Sequence, residues 1–448
     1  MVSVSVYLLY SIVFISPLVS STAVPLSHSW SYETPSQDPV QNLNYLVTTS
    51  LARARHLKSP HTTPVFSHSY GGYSVSLSFG TPPQTLPFVL DTGSSFVWFP
   101  CTLRYRCNNC SFSSSNSPFI PKHSSSSKII GCNNPKCSWI HQSDLQCKHC
   151  DSATTCSQIC PPYLILYGSG TTGGIALSET LRLRGLTVPN FVVGCSVFSS
   201  RQPAGIAGFG RGPSSLPTQL GLTKFSYCLI SHKFDDTTES SSLVLDLESE
   251  SDKKTPAFKY TPLVKNPKVE DKPAFSVYYY ISLRHISIGG RSVKIPYKYL
   301  SPDKDGNGGT IIDSGTTFTY MSSEAFEMVS SEFISQVKHY GRAVMVEELS
   351  GLRPCFNVSG AKKLELPEVT LHFKGGADAE LPLENYFAFV GGREVACLTV
   401  VATASDGESE ASGPGIILGN FQMQNFHVEY DLKNERLGFN KESCKPSH

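Results

Sequence analysis

Two aspartates, Asp91 and Asp313, sit in matched stretches, Leu90-Asp91-Thr92-Gly93-Ser94-Ser95 and Ile312-Asp313-Ser314-Gly315-Thr316-Thr317. Each ends an apolar run (Phe88-Val89-Leu90 and Ile311-Ile312) and opens an Asp-hydroxyl-Gly turn. Asp-Thr-Gly on its own is a common turn sequence. Twice in one chain, with matching flanks, it asks for a joint explanation. Two carboxylates brought within hydrogen-bond distance cannot both ionise easily, so one apparent pKa rises and the other falls. Such a pair holds one proton and one negative charge over a broad acidic range. Its charged member can take a proton from a bridging water while its protonated member polarises a carbonyl. That chemistry hydrolyses an amide with neither a covalent intermediate nor a metal. Gly93 and Gly315 permit a turn that a side chain would obstruct. Thr92 and Ser314 carry hydroxyls able to brace the two turns, and Ser94 and Thr316 lie beside the carboxylates.

The segments around the two motifs also repeat. Tyr73-Ser74-Val75-Ser76-Leu77-Ser78-Phe79 alternates strictly, turns at Gly80-Thr81-Pro82-Pro83, and returns through Phe88-Val89-Leu90 to Asp91. This predicts strand, turn, strand. In the second half, Tyr280 to Gly289 repeats the alternation ahead of Asp313. A third pair, Gly205-Ile206-Ala207-Gly208 and Ile416-Ile417-Leu418-Gly419, completes an ordered internal duplication. One amphipathic helix follows the second motif, capped by Ser322 or Ser323, with Phe326, Val329, Phe333, Ile334 and Val337 on one face and Gly341 at its end. Glycine (34), proline (30) and 11% aromatics suit turns and strands. The expected class is all-β with minor helix, in two pseudo-twofold-related lobes.

The chain of 448 residues can hold two or three cores. Its net charge of +1 carries no electrostatic footprint for nucleic acid or an anionic membrane. Val6 to Val19 is almost wholly apolar and precedes Ser21-Thr22-Ala23, so residues 1–23 read as a secretory signal too short to span a bilayer. Residues 24–69 read as a prosegment. Its basic stretch Leu51-Ala52-Arg53-Ala54-Arg55-His56-Leu57-Lys58 supplies cations to occupy an acidic cleft, or else is a solvated linker. An N-terminal lobe is expected over 70–262, with a cysteine-rich insertion at 101–160, and a C-terminal lobe over 263–448.

Fourteen cysteines behind a signal imply disulfides. They are Cys101, Cys107, Cys110, Cys132, Cys137, Cys147, Cys150, Cys156, Cys160, Cys195, Cys228, Cys355, Cys397 and Cys444. The spacings Cys107-x2-Cys110, Cys147-x2-Cys150 and Cys156-x3-Cys160, with His149 among them, also suit zinc, but zinc ribbons belong mainly to reducing compartments. The insertion is expected to be a cystine-stapled excursion outside the core. Gly168-Ser169-Gly170-Thr171-Thr172-Gly173 fits a dinucleotide-loop pattern, yet Gly174 to Ser178 and Leu181 to Arg184 alternate like a strand and offer no helix N-terminus. Asp303-Lys304-Asp305-Gly306-Asn307-Gly308 starts like a calcium loop, but its twelfth position is Ser314 where a Glu is needed. No metal or cofactor is expected. Asn357-Val358-Ser359 and Asn109-Cys110-Ser111 fit the glycosylation pattern.

With Trp98 after the first motif, Tyr167-Gly168-Ser169-Gly170 and both Asp motifs, the chain resembles pepsin-type (family A1) aspartic proteases. Phe225-Ser226-Tyr227-Cys228, Glu384-Asn385-Tyr386-Phe387 and the cysteine-rich insertion make it most similar to the plant nepenthesin-like branch. The resemblance spans about Tyr70 to Cys444. It implies a secreted acid endopeptidase with Asp91 and Asp313 as catalytic pair and Tyr167 and Gly168 on a flap, Tyr167 bonded to Trp98. It implies polypeptide substrates and proteinaceous inhibitors as partners. One cleft per chain makes a monomer sufficient, and extracellular fluid, cell wall and vacuole are all destinations open to a secreted chain. By the branch's pattern the pairs are Cys101–Cys107, Cys110–Cys195, Cys132–Cys160, Cys137–Cys156, Cys228–Cys444 and Cys355–Cys397, leaving Cys147–Cys150. Ser95 and Ser169 stand where the branch usually has acids, which predicts altered titration of the pair. Some plant relatives have lost the pair and inhibit cell-wall-degrading enzymes, so a catalytically silent binding protein is the rival reading. Intact Asp91, Asp313 and Tyr167 favour the enzyme.

Overall fold

A computed structural model describes residues 21–29, 39–58 and 71–444. Within the last span, 109, 111–116, 142–144, 146, 148–156, 168–169, 184, 203, 232–239, 248–257, 271 and 403–412 lie outside the described residues. The expectations for Asn109, Gly168, Ser169, Cys150, Cys156 and most of the signal therefore fall outside it.

Strand β1 (Ser21–Ser29) and helix α1 (Pro39–Lys58) precede the first predicted strand pair, which forms as β2 (Gly72–Phe79) and β3 (Gln84–Asp91). They pair antiparallel, Ser74 opposite Val89 through Phe79 opposite Gln84. Tyr73, Val75, Leu77 and Phe79 are buried, as strict alternation requires of a sheet with one covered face. Gly80 takes a positive φ of 101° at the turn, a conformation glycine reaches without steric cost.

The duplication is visible as matched strand pairing. Gly205–Gly208 runs parallel to β3, with Gly208 opposite Asp91, and crosses antiparallel to β4 (Trp98–Pro100). In the second half, Ile416–Leu418 runs parallel to Thr310–Ile312 and crosses antiparallel to Thr319–Met321. Tyr279–Ile281 plays the part of β2 against Thr310–Ile312. Each aspartate thus leaves the end of a strand hydrogen-bonded on both sides, which holds its turn in place.

The lobes share a sheet. Phe426–Asp431, from the far end of the chain, pairs with Lys224–Cys228 of the first half. Cys228–Cys444 ties the same two regions. β1 lies between β2 and Ser240–Asp246 in this sheet.

The predicted helix spans Ser323–Gln336 and buries Ala325, Phe326, Val329, Ser330 and Phe333. Three details differ from expectation. Ile334 is exposed, the helix stops before Gly341, and Ser322 occupies the cap position without a capping bond, its hydroxyl reaching Gly415 O instead. The Asp303 segment is a polar turn, Asp303 Oδ1 accepting from the amides of Asp305 and Asn307. The glycine-rich stretch after Tyr167 opens the strand Gly170–Leu183, so no helix receives a phosphate there.

The cysteine-rich insertion is not wholly outside the core. Phe119 is fully buried against Phe99, and Ile130, Cys137 and Cys160 pack with Trp98 and Tyr163. The pairing inferred from the branch's pattern is corrected here. β4 runs parallel to Leu186–Ser200, and the Cys101 amide donates to Ser196 O. That puts Cys101 against Cys195 at a Cα separation of 5.0 Å, inside the range a disulfide spans. Cys107 is left to Cys110, not to Cys101. An antiparallel bridge of Gly131 with Ile159 sets Cys132 opposite Gln158 and Ile130 opposite Cys160. Cys132 joins Cys147 and Cys137 joins Cys160, which replaces Cys132–Cys160, Cys137–Cys156 and Cys147–Cys150. Cys228–Cys444 and Cys355–Cys397 form as expected.

Candidate active site

Asp91 and Asp313 are buried, at 2% and 0% exposure. Their hydrogen bonds match pairwise. Gly93 N donates to Asp91 Oδ1 at 3.0 Å and Gly315 N to Asp313 Oδ1 at 2.9 Å. The Ser94 and Thr316 hydroxyls donate to the Oδ2 atoms of Asp91 and Asp313, each at 2.6 Å. Between the turns runs the brace that the hydroxyls suggested. Thr92 N donates to Ser314 Oγ at 3.1 Å and Ser314 N to Thr92 Oγ1 at 2.9 Å. Ser314 Oγ in turn donates to Leu90 O at 2.8 Å.

The glycines are required by what faces them. A Cβ on Gly93 would lie 2.7 Å from Asp313 Cγ, and one on Gly315 would lie 2.5 Å from Asp91 Oδ1. Each turn is therefore pressed against the carboxylate of the other lobe.

Arg53, on α1, reaches between the two acids. Its Nη2 donates to Asp91 Oδ1 at 2.6 Å and its Nε to Asp313 Oδ2 at 3.1 Å. Burial disfavours the guanidinium, but the two carboxylates outweigh that and raise its pKa, so it stays charged. Burial also pushes both carboxyl groups up. At Asp91 burial and the like charge of Asp313 prevail over Arg53, and the net shift is upward. At Asp313 the Arg53 charge, the Thr316 hydroxyl and the Gly315 amide overcome burial, and the net shift is downward. The pair is split, as two close acids must be.

α1 is anchored over the cleft by more than Arg53. Leu43, Leu46, Val47 and Ala54 are buried with Tyr278, Phe318, Leu352 and Phe421. Phe318 N donates to Ser50 Oγ at 2.8 Å, and Asn44 Nδ2 to Leu349 O at 2.7 Å. The basic segment was expected to supply cations to the cleft; only the structure singles out Arg53. Asn420 was not anticipated. Its amide donates to both Ser314 O and Gly71 O, tying the second turn to the chain that enters β2. Its position just after the repeated Ile-Leu-Gly element is the signal that could have flagged it.

Tyr167 ends the strand Tyr163–Tyr167, whose hairpin partner is Gly170–Leu183. Its hydroxyl accepts from Trp98 Nε1 at 2.9 Å, and both side chains are buried. A cleft beside the aspartates is lined by Arg53, Val89, Asp91, Tyr167, Gly315 and Thr317. Ser95 does not face the carboxylates. Its hydroxyl accepts from Gly212 N at 3.0 Å, so an acid missing there alters a loop contact and not the pair directly. Asn357 is exposed, its side chain accepting from Ser359 N and Ser359 Oγ. In the cysteine-rich insertion Cys137, His141 and Cys160 bring ligand-type atoms within 4.8 Å, but the two sulfurs are joined to each other. Among the described residues no helix is long and apolar enough to cross a membrane.

Family descriptions titled "Xylanase inhibitor N-terminal" and "Xylanase inhibitor C-terminal" match residues 73–245 and 278–441. A probable aspartyl protease of Arabidopsis thaliana is 36% identical over 420 residues, covering 83% of this chain and 82% of its own. Aspartic proteinase nepenthesin-1 of Nepenthes gracilis is 35% identical over 384 residues, covering 84% and 79%. The crystal structure titled edgp superposes with a TM-score of 0.65 at 19% identity, covering 95% of each chain, and shows the same fold. The paired turns and these relatives agree: the chain belongs to the pepsin-type aspartic proteases, in their plant nepenthesin-like branch.

Proposed function

We propose that this protein is a secreted aspartic endopeptidase, made as a latent precursor and active in acid once α1 has left the cleft. The observation that carries the reading is the matched hydrogen bonding of Asp91 and Asp313, two buried acids with oppositely shifted pKa values. With Arg53 withdrawn, a water takes its place between the carboxylates. The ionised acid draws a proton from that water, and the protonated acid donates to the scissile carbonyl oxygen. The braced turns keep both carboxyls in register, so little reorganisation is needed at the moment of attack. Tyr167, fixed by Trp98, closes over the substrate and limits water access. The substrate is a polypeptide held extended across the cleft between the lobes.

Residues 39–58 act as the latch. Arg53 satisfies both acids and fills the position that water needs.

The rival is a binding protein on the same scaffold, favoured by one observation, the word inhibitor in both matching family descriptions. Acidifying the purified precursor and assaying an unfolded protein substrate, with and without a pepstatin-type inhibitor, separates the two. Peptide release is expected from the wild type, blocked by inhibitor and abolished in Asp91→Asn and Asp313→Asn. Release undiminished in those variants would remove the pair from the mechanism. No release at any pH after α1 is cleaved away would leave the binding reading.

A further inference from the structure

The corner that follows Leu186–Ser200 brings into the cleft a side chain that the aspartate network does not use. Gln202 lines the same cleft as Asp91 and Tyr167 and is 1% exposed. Val89 and Ile206, which line it too, are apolar. Gln202 also lies against the flap hairpin. A Cβ on Gly170, which opens the returning strand, would sit 3.1 Å from Gln202 Cγ. This part of the wall therefore sets a carboxamide among apolar groups, in the cleft of the reacting acids.

The backbone at this corner is held in an unfavourable shape. Arg201 has a φ of 56°, in the left-handed region that a residue with a side chain keeps only where its surroundings enforce it. The enforcement comes from the cysteine-rich insertion. Arg106–Asn108 runs parallel to Leu186–Ser200, and the Arg201 amide donates to Asn108 O at 2.9 Å. Gln202 O accepts from Ser199 Oγ at 2.8 Å and from the Tyr105 hydroxyl at 3.1 Å. Cys101–Cys195 fastens the start of the same loop to Leu186–Ser200, and Cys107–Cys110 closes its end. The stapled loop thus fixes the direction in which the Gln202 side chain leaves the backbone.

In the latent chain Thr49 and Arg53 of α1 line this cleft as well. Withdrawal of α1 leaves Gln202 to face the side chain that a bound polypeptide sends toward this wall. A carboxamide offers both an N–H donor and a carbonyl acceptor. A second carboxamide meets both at once in a planar pair, and a methionine of similar length meets neither. A charged side chain would lose hydration against Val89 and Ile206 and find no opposite charge on Gln202. Sites that hydrogen-bond a substrate group discriminate against an analogue lacking it, because a buried polar group is then left unpaired.

We propose that Gln202 selects polypeptides carrying Gln or Asn next to the scissile bond, with Tyr105 as the positioning residue that holds it. This rests on the protease reading and specifies the substrate class of that site.

Mass spectrometry of the fragments released from a denatured protein by the acid-activated full chain locates the preference, with Gln and Asn enriched on one side of the cut. Two peptides differing only in Gln or Met at that position then give a ratio of kcat/KM values that is independent of the active fraction. The wild type should favour the Gln peptide by at least about tenfold. Gln202→Met keeps the length of the side chain without its amide. It should bring the ratio down to about one while still cutting the Met peptide. Tyr105→Phe, which removes a hydrogen bond to Gln202 O, should fall between the two. A wild-type ratio near unity, or a Gln202→Met ratio equal to that of the wild type, overturns the assignment and leaves the protease reading standing. A wild type that cuts neither the peptides nor the denatured protein overturns both.

Discussion

The hydroxyls of Thr92 and Ser314 show how much a site can depend on atoms that never touch substrate. Each backbone amide of the pair donates to the hydroxyl of the other lobe, across a buried interface. Removing one hydroxyl leaves a buried amide without its acceptor, at a cost of about 1–3 kcal/mol. Thr92→Ala and Ser314→Ala should each lower the unfolding free energy by that order. Because both act through one brace, the double variant should lose clearly less than the sum of the singles. Additive losses in a urea-unfolding cycle would show that the two bonds do not form a unit. At this scale the sequence was informative where chemistry repeats: the Asp-hydroxyl-Gly turns named Asp91, Asp313 and their neighbours. It was uninformative where a side chain's direction matters. Ser95, read as a missing acid beside the pair, bonds Gly212 instead, and only the path of the loop at 210–212 reveals that.

At the scale of elements, alternation and turn residues located β2, β3 and the second-half strands because each strand has one buried face. Cys228–Cys444 and Cys355–Cys397 were anticipated, but the pairing among the first-half cysteines was not legible, for a matching physical reason. Which sulfurs meet is decided by the pairing of β4 with Leu186–Ser200, a contact between segments far apart in the chain. The basic stretch was legible as a cation source, but its docking depends on apolar residues upstream. Leu46 is 1% exposed and Ser50 accepts from the Phe318 amide. Leu46→Ala should cost about 2–5 kcal/mol, as buried leucine truncations do. Since α1 is one element laid over a cleft, that loss is expected to appear as local loosening. Amides of residues 39–58 should exchange faster while those of β2 and β3 keep their protection. Equal acceleration in all three elements would mean that α1 unfolds only with the whole molecule.

For the whole molecule, Arg53 joins the aspartates of the two lobes at one buried charged point. Arg53 remains protonated throughout, so any pH response of the latch must come from the carboxyls. Burial and the Asp313 charge hold Asp91 above the ordinary carboxyl value although Arg53 pulls it down, so on acidification Asp91 is neutralised first and gives up its charge pairing with Arg53. Asp313 has the opposite sign. Arg53, Thr316 and Gly315 outweigh burial and hold it below the ordinary carboxyl value, so its contribution is fully present above that ordinary value and is lost as pH falls through the lower one. The closed state should therefore survive mild acid and open only when Asp313 takes its proton. Pulsed hydrogen exchange of α1 between about pH 7 and about pH 3 reads this directly, with protection falling at the acid end. Arg53→Gln retains hydrogen-bond donors but not the charge, and leaves two like-charged acids facing each other. Its α1 should already exchange fast near neutrality and respond little to further acid. Wild-type protection that stays level across this range, or an Arg53→Gln profile matching the wild type, would show that apolar docking and not the Arg53 contact keeps the cleft closed.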